Sequence, residues 1–93
     1  GVHASDVSDS AGTLWLDTHR RHWSDEVLEA CHLDRSTMPA LAEGPEVTGR
    51  VQGSVARALG IGDVPIVAGG GDNAAAAIGC GVIRVGQAFL SLG

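Results

Sequence analysis

The first clear rhythm in the chain falls at residues 14–17, where Leu14 and Leu16 alternate with Trp15 and Asp17. Alternation of period two predicts a short strand or ribbon through "TLWLDTHRRHW". The rhythm then changes. Val27, Leu28 and Cys31 are spaced as one face of a helix, so "SDEVLEACHL" is expected to be helical. Ser24 is placed to cap it, and Asp25 and Glu26 stand where the positive end of the helix dipole favours them. Trp23 before the cap and Leu28 one turn in form a candidate hydrophobic staple.

Around that helix the pattern is polar. "SDVSDSAGT" (5–13) reads as a loop of turn formers, and "DRSTMPAL" as a turn, since Pro39 disfavours helix at Met38. "EVTGRV" predicts a short strand, and "GSVARALG" a helix that Gly60 ends. After Pro65, "IVAG" is a brief apolar run of the kind buried on both faces of a parallel sheet. "DNAAAAIG" has high helix propensity, with Asp72 or Asn73 a good residue to start it. "QAFLSLG" reads as a closing strand. Strand and helix alternate throughout, which predicts an α/β fold.

Composition changes the picture in one respect. The chain of 93 residues is 44% hydrophobic, yet it has 14 glycines and only three aromatics, Trp15, Trp23 and Phe89. That is little with which to fill a core. The apolar strand at 87–93 would also leave an unpaired edge. The expectation is a segment of a longer protein. The net charge of −5 and the scattered basic residues argue against a nucleic-acid surface, which needs clustered Lys and Arg. No apolar run reaches the ~20 residues needed to span a bilayer, and no secretory signal pattern is visible. Cys31 and Cys80 match no metal or redox spacing and are expected to be buried, reduced thiols of a cytoplasmic protein.

The chemistry concentrates in "VAGGGDN" (67–73). Across residues 64–93 the only charged side chains are Asp72 and Arg84. An acid at a strand-to-helix glycine turn can be a simple helix-start residue. Gly69, Gly71 and Ala74 also satisfy G-x-G-x-x-G/A, the dinucleotide-binding pattern, in the strand-to-helix context it requires. Against this, Asp72 would set a negative charge near a pyrophosphate, and residues 73–93 hold no acid for a ribose. A third reading makes Asp72 a catalytic base. A carboxylate in apolar, Gly-rich surroundings is poorly solvated, which raises its proton affinity. Gly70 and Gly71 would let a substrate or its phosphate approach the backbone, and Asn73 offers a donor and an acceptor to a polyhydroxylated ligand. Residue type alone leaves the three readings open.

A resemblance weighs on the choice. "DVPIVAGGGDNAAAAIGCGVIRVGQAFLSLG" resembles the segment of the FGGY carbohydrate kinases, in its xylulokinase form, that carries the catalytic aspartate. "SDSAGTLWLDTHRRHWSD", "LDRSTMPALAEGPEVTG" and "VARALGI" resemble the same family in the same order, so the likeness covers essentially the whole chain. It implies part of the N-terminal ribonuclease H-like, actin-like ATPase domain of a two-domain sugar kinase. Residues 1–85 would be the later part of that domain, and residues 86–93 the start of the first strand of the C-terminal domain. Asp72 matches the family's general base and Asn73 a substrate-binding residue. The implied reaction passes the γ-phosphate of ATP, with Mg²⁺, to D-xylulose or a related ketose. The "GGGDNAA" form points to xylulose-type substrates over glycerol. The remaining parts of the same kinase are the implied partners, because the family's phosphate-binding hairpin is absent here. "LSLG" looks like the lead into a phosphate loop. The 93-residue piece alone is expected to be inactive and poorly folded.

Other residues have ordinary uses. Asp6, Asp9 and Asp17 lack the spacing of a calcium loop and are expected to close turns. His19 and His22 have Arg20 and Arg21 between them, which oppose a cation, so a surface position is the reading. Arg84 is expected in an ion pair, and Trp15 and Trp23 as packing anchors.

Overall fold

The computed structural model describes residues 2–92. Strand β1 (Ala4–Asp6) leads directly into helix α1 (Val7–Ala11), in a stretch whose composition predicts a loop. The reason is that Ser and Asp start helices as readily as they make turns. The Asp6 carboxylate caps α1, accepting from the Ser8 amide at 2.7 Å and the Asp9 amide at 3.3 Å. Val7 and Ser10 then turn inward.

β2 (Leu16–Asp17) and β3 (His22–Trp23) form the expected ribbon, pairing antiparallel with Leu16 opposite Trp23. Asp17 closes its turn by accepting from the amides of His19 and Arg20 at 3.0 and 2.9 Å. Of the alternating leucines only Leu16 is buried. Leu14, at a φ of 66°, lies exposed.

Helix α2 (Asp25–Ala30) starts at Ser24, whose hydroxyl accepts from the Val27 amide at 3.3 Å. Leu28 is 1% exposed and anchors the helix, whereas Val27 and Cys31 face solvent. α2 ends through a left-handed residue, His32 (φ 57°), with Leu33 N–H donating to the Leu28 carbonyl at 2.9 Å. A 3-10 turn (Arg35–Thr37), capped by Asp34, carries the chain to β4 (Ala40–Ala42). The sequence reads β4 as part of a turn. It is a strand because β1 lies beside it, in parallel, with Ser5 opposite Leu41.

The core sits in this half. Val7, Leu16, Trp23 and Leu28 are buried together, with Trp15, Leu33, Met38 and Leu41 packed against them. The Trp23 indole donates to the Pro39 carbonyl at 2.9 Å, which satisfies its one polar group.

In the second half, β5 (Val47–Arg50) pairs antiparallel with β6 (Pro65–Val67), with an irregularity between Val47 and Gly49. α3 (Gly53–Leu59) connects them and ends at Gly60, whose φ is 66°. α4 (Asp72–Gly79) follows the glycine turn. β6 is neither parallel nor buried, because its ladder partner is β5 and no layer of the described residues covers it: Ile66 and Val67 are about half exposed. No strand forms over residues 86–92, where the described residues place no strand alongside to pair with, and Gly93 lies outside the described residues. Cys31 and Cys80 are free but exposed, since each closes the end of a helix at the surface. Arg84 makes no ion pair among the described residues.

The radius of gyration is 16.1 Å, against roughly 12 Å for a self-sufficient domain of this length. The chain is an α/β segment with one small core and a second half whose apolar side chains lie open.

Candidate active site

The glycine turn is held from two directions. Gly69, at a φ of 85° that only glycine adopts cheaply, donates its amide to the Gly44 carbonyl at 3.0 Å. Two residues on, the Gly71 amide donates to the Ser8 hydroxyl at 2.9 Å, and the Gly71 carbonyl accepts the first bond of α4, from Ala75. Gly71 also packs directly on the start of α1. A β-carbon at this position would stand 3.1 Å from Asp9 Cα and 3.2 Å from Asp9 N.

These contacts bear on two readings. The amides of Gly69 and Gly71 are committed inside the chain, so they cannot cradle a pyrophosphate. The strand before the turn is antiparallel and no parallel strand follows α4 among the described residues, so the βαβ unit of a dinucleotide site is missing. Likewise the Gly71 amide is not free to meet a phosphate, and Gly70 is left as the exposed backbone that a ligand can approach.

Asp72 opens α4 and is exposed, with no basic partner among the described residues. One of its oxygens, Oδ1, accepts from the Asn73 amide at 2.6 Å, which leaves Oδ2 available to a ligand. Asn73 is exposed beside it. The apolar, poorly solvated surroundings expected of Asp72 are not supplied by the described residues. Two grooves lie elsewhere. The first, of about 750 Å³, is lined by Val55, Leu59, Ile61 and Ile66, and neither groove includes Asp72 or Asn73.

The sequence gives Asp6 only a turn-closing use and nothing marks Ser8. Ser8 donates its hydroxyl proton to Asp6 Oδ2 while it accepts from Gly71. Asp6 is buried, which opposes its charge, but the Ser8 hydroxyl and the Ser8 and Asp9 amides outweigh that and hold its carboxyl below the ordinary range. Nothing local in the sequence marks a contact spanning 63 residues. Asp17 does close a turn, as its type suggests, whereas Asp6 is buried and caps α1 instead of lying in a solvated loop. Among the described residues no three His, Cys, Asp or Glu side chains come together as a metal site.

The profile of the FGGY family of carbohydrate kinases, N-terminal domain, matches residues 1–79. The chain belongs to this family. It is 58% identical over its full 93 residues to the xylulose kinase of Escherichia coli strain K12, covering 19% of that protein. A glycerol kinase of Clavibacter michiganensis is 34% identical over 87 residues, covering 94% of the chain and 16% of the relative. Among solved structures, a xyloylose kinase from Brucella ovis superimposes with a TM-score of 0.84 at 44% identity, over 90% of the chain and 18% of that protein. The chain thus spans about a fifth of the length of the curated xylulose kinases it matches. The FGGY segment described here holds the glycine turn and its carboxylate, together with the N-terminal layer that anchors them.

Proposed function

We propose that this segment belongs to an ATP-dependent sugar kinase that phosphorylates D-xylulose or a closely related ketose, with Asp72 as the proton acceptor. The observation that supports this is the presentation of Asp72. It is an accessible carboxylate with one oxygen fixed and one free, no neutralising partner among the described residues, and a start position set by an anchored turn.

In the reaction so read, a sugar hydroxyl donates a hydrogen bond to Asp72 Oδ2. The hydroxyl oxygen then attacks the γ-phosphorus of ATP in line. The new oxygen–phosphorus bond forms as the bond to the ADP oxygen breaks, and the proton passes to Asp72. Phosphoryl transfer depends mostly on placing the two reactants, so orienting the hydroxyl is as much the carboxylate's task as taking its proton. Asn73, with both a donor and an acceptor, suits a neighbouring sugar hydroxyl. The family reading implies Mg²⁺ as well. The described residues do not form a site for it, so no step here is assigned to it. The walls that would take the sugar out of water, and the ATP site, belong on this reading to the remaining parts of the same kinase.

The glycerol kinase relative keeps a second reading open, a polyol in place of the ketose. The test is a panel of ketoses and glycerol, with ADP release followed in the family-length protein carrying this segment. D-xylulose is expected to give the highest kcat/KM. Asp72→Asn is expected to lower kcat by roughly 10²-fold or more. A near-normal rate in that variant would reduce Asp72 to a helix-start residue.

A further inference from the structure

We infer that Ser8, backed by Asp6, is a positioning residue for Asp72: its hydroxyl holds the Gly71 amide and thereby sets where α4 begins. The inference rests on the reading of Asp72 as proton acceptor. A serine hydroxyl has one proton to give. Here that proton goes to Asp6 Oδ2, an ionised carboxylate that can only accept, so the hydroxyl is left to accept from Gly71 at 2.9 Å. Asp6 is in turn fixed by the amides of Ser8 and Asp9 and by its place at the end of β1, which is paired to β4. Amide, hydroxyl and carboxylate are therefore polarised in one sense, and each strengthens the next.

Packing does not provide another anchor of equal reach. None of the residues of α4 is buried, so the helix is not pinned by an apolar face among the described residues. What fixes its first turn is the Ser8 bond together with the contact of Gly71 on the Asp9 backbone. Asp72 is the next residue. A shift of about 1 Å in a reacting group can cost up to ~10²-fold in rate, so slack at Gly71 passes straight to the chemistry.

The test uses the family-length kinase. Ser8→Ala is expected to lower kcat roughly 10- to 100-fold while KM for ATP stays within about twofold. Ser8→Thr, which keeps a hydroxyl, is expected to recover most of the rate. Where the alanine variant does not fold, Ser8→Cys gives the same reading, because a thiol is a weak acceptor. In a double-mutant cycle, Ser8→Ala is expected to add little to the loss caused by Asp72→Asn, since both act through one carboxylate. A near-normal kcat for Ser8→Ala, or a loss that multiplies in full upon that of Asp72→Asn, overturns the positioning role and leaves the proton-acceptor reading standing. A near-normal rate for Asp72→Asn alone removes that reading and takes this inference with it.

Discussion

The Gly71 amide donates to the Ser8 hydroxyl at 2.9 Å, joining two stretches 63 residues apart in sequence. Through this bond the polar N-terminal helix start and the glycine turn become one local structure, with Asp72 at its rim. The same approach explains why glycine is needed here. At Gly44 a β-carbon would stand 2.6 Å from the Gly69 carbonyl oxygen, and at Gly71 it would press on the Asp9 backbone. At Gly69 there is room for a β-carbon, but the φ is +85°.

The three glycines should therefore differ in what alanine does. Gly44→Ala is expected to be the most damaging, because backbone must move; overpacking of this kind costs about 1–3 kcal/mol or more. Gly71→Ala should follow, and its cost should appear in turnover as well as stability. Gly69→Ala is expected to lose about 1–2 kcal/mol through left-handed strain alone. Urea unfolding of the three variants in the family-length protein gives the order, and a milder Gly44→Ala than Gly69→Ala would refute it.

What the sequence makes legible divides along physical lines. Helix α2 with its Ser24 cap, the 16–23 ribbon and the Gly60 stop were all readable, because each is fixed by residues within a few positions. β1 and β4 were not. Each has three residues and exists through the other, a pairing across 36 positions that no local pattern encodes. The apolar run of β6 reads as buried, yet such a run does not state what covers it, and Ile66 and Val67 lie open. Asp72 stood out as a lone acid in a Gly- and Ala-rich stretch. Its anchor on Ser8 did not, since a serine in a polar run carries no signal of its distant partner.

The end of α2 offers a stabilising change. His32 sits at a φ of 57°, in the position where helices usually place glycine, and the bonds Leu33 N–H to Leu28 O and His32 N–H to Glu29 O complete that helix end. Its side chain is exposed. His32→Gly is expected to stabilise by about 1 kcal/mol, seen as a raised Tm, whereas His32→Val should destabilise. Equal melting temperatures for the two variants would contradict the helix-end account.

Trp23 is the largest side chain of the core and is 5% exposed, with its indole nitrogen satisfied by Pro39. Trp23→Ala is expected to cost about 3–5 kcal/mol from lost contacts and the cavity left behind. Trp23→Phe keeps much of the packing but leaves the Pro39 carbonyl without this donor, a loss of about 1–3 kcal/mol. Chemical denaturation resolves the two, and a phenylalanine variant as weak as the alanine one would mean that the hydrogen bond dominates.

Acid should act through Asp6. Its carboxyl titrates below the ordinary aspartate value of 3.8 in the folded chain, because the Ser8 hydroxyl and two amides outweigh the opposing effect of burial. A depressed folded value means that the stabilisation is fully present above the unfolded value and is lost as pH falls through the folded one. Asp17, Asp34 and Glu43 are shifted in the same direction, by the Arg20 amide, by Ser36 and by Arg21 respectively. Stability is therefore expected to be flat near neutrality and to fall below about pH 4. Asp6→Asn should be weaker at neutral pH and lose less on acidification, and an unchanged acid slope would place the effect elsewhere.

The isolated 93-residue chain should neither fold tightly nor phosphorylate sugar. Among the described residues five hydrophobic side chains are buried, while sixteen large ones are exposed, including Ile66, Val67, Leu59 and Leu90. At about 25 cal/mol per Å² of apolar surface removed from water, so small a core cannot offset the conformational entropy of ordering the second half. The first half, with Trp23 and Leu28 buried together, is the part expected to persist. The isolated chain should bind a hydrophobic dye, melt over a broad range, and show slow amide exchange confined to residues near 4–42. A sharp cooperative melt with protection extending through α4 would show that the segment needs nothing further to cover its open face.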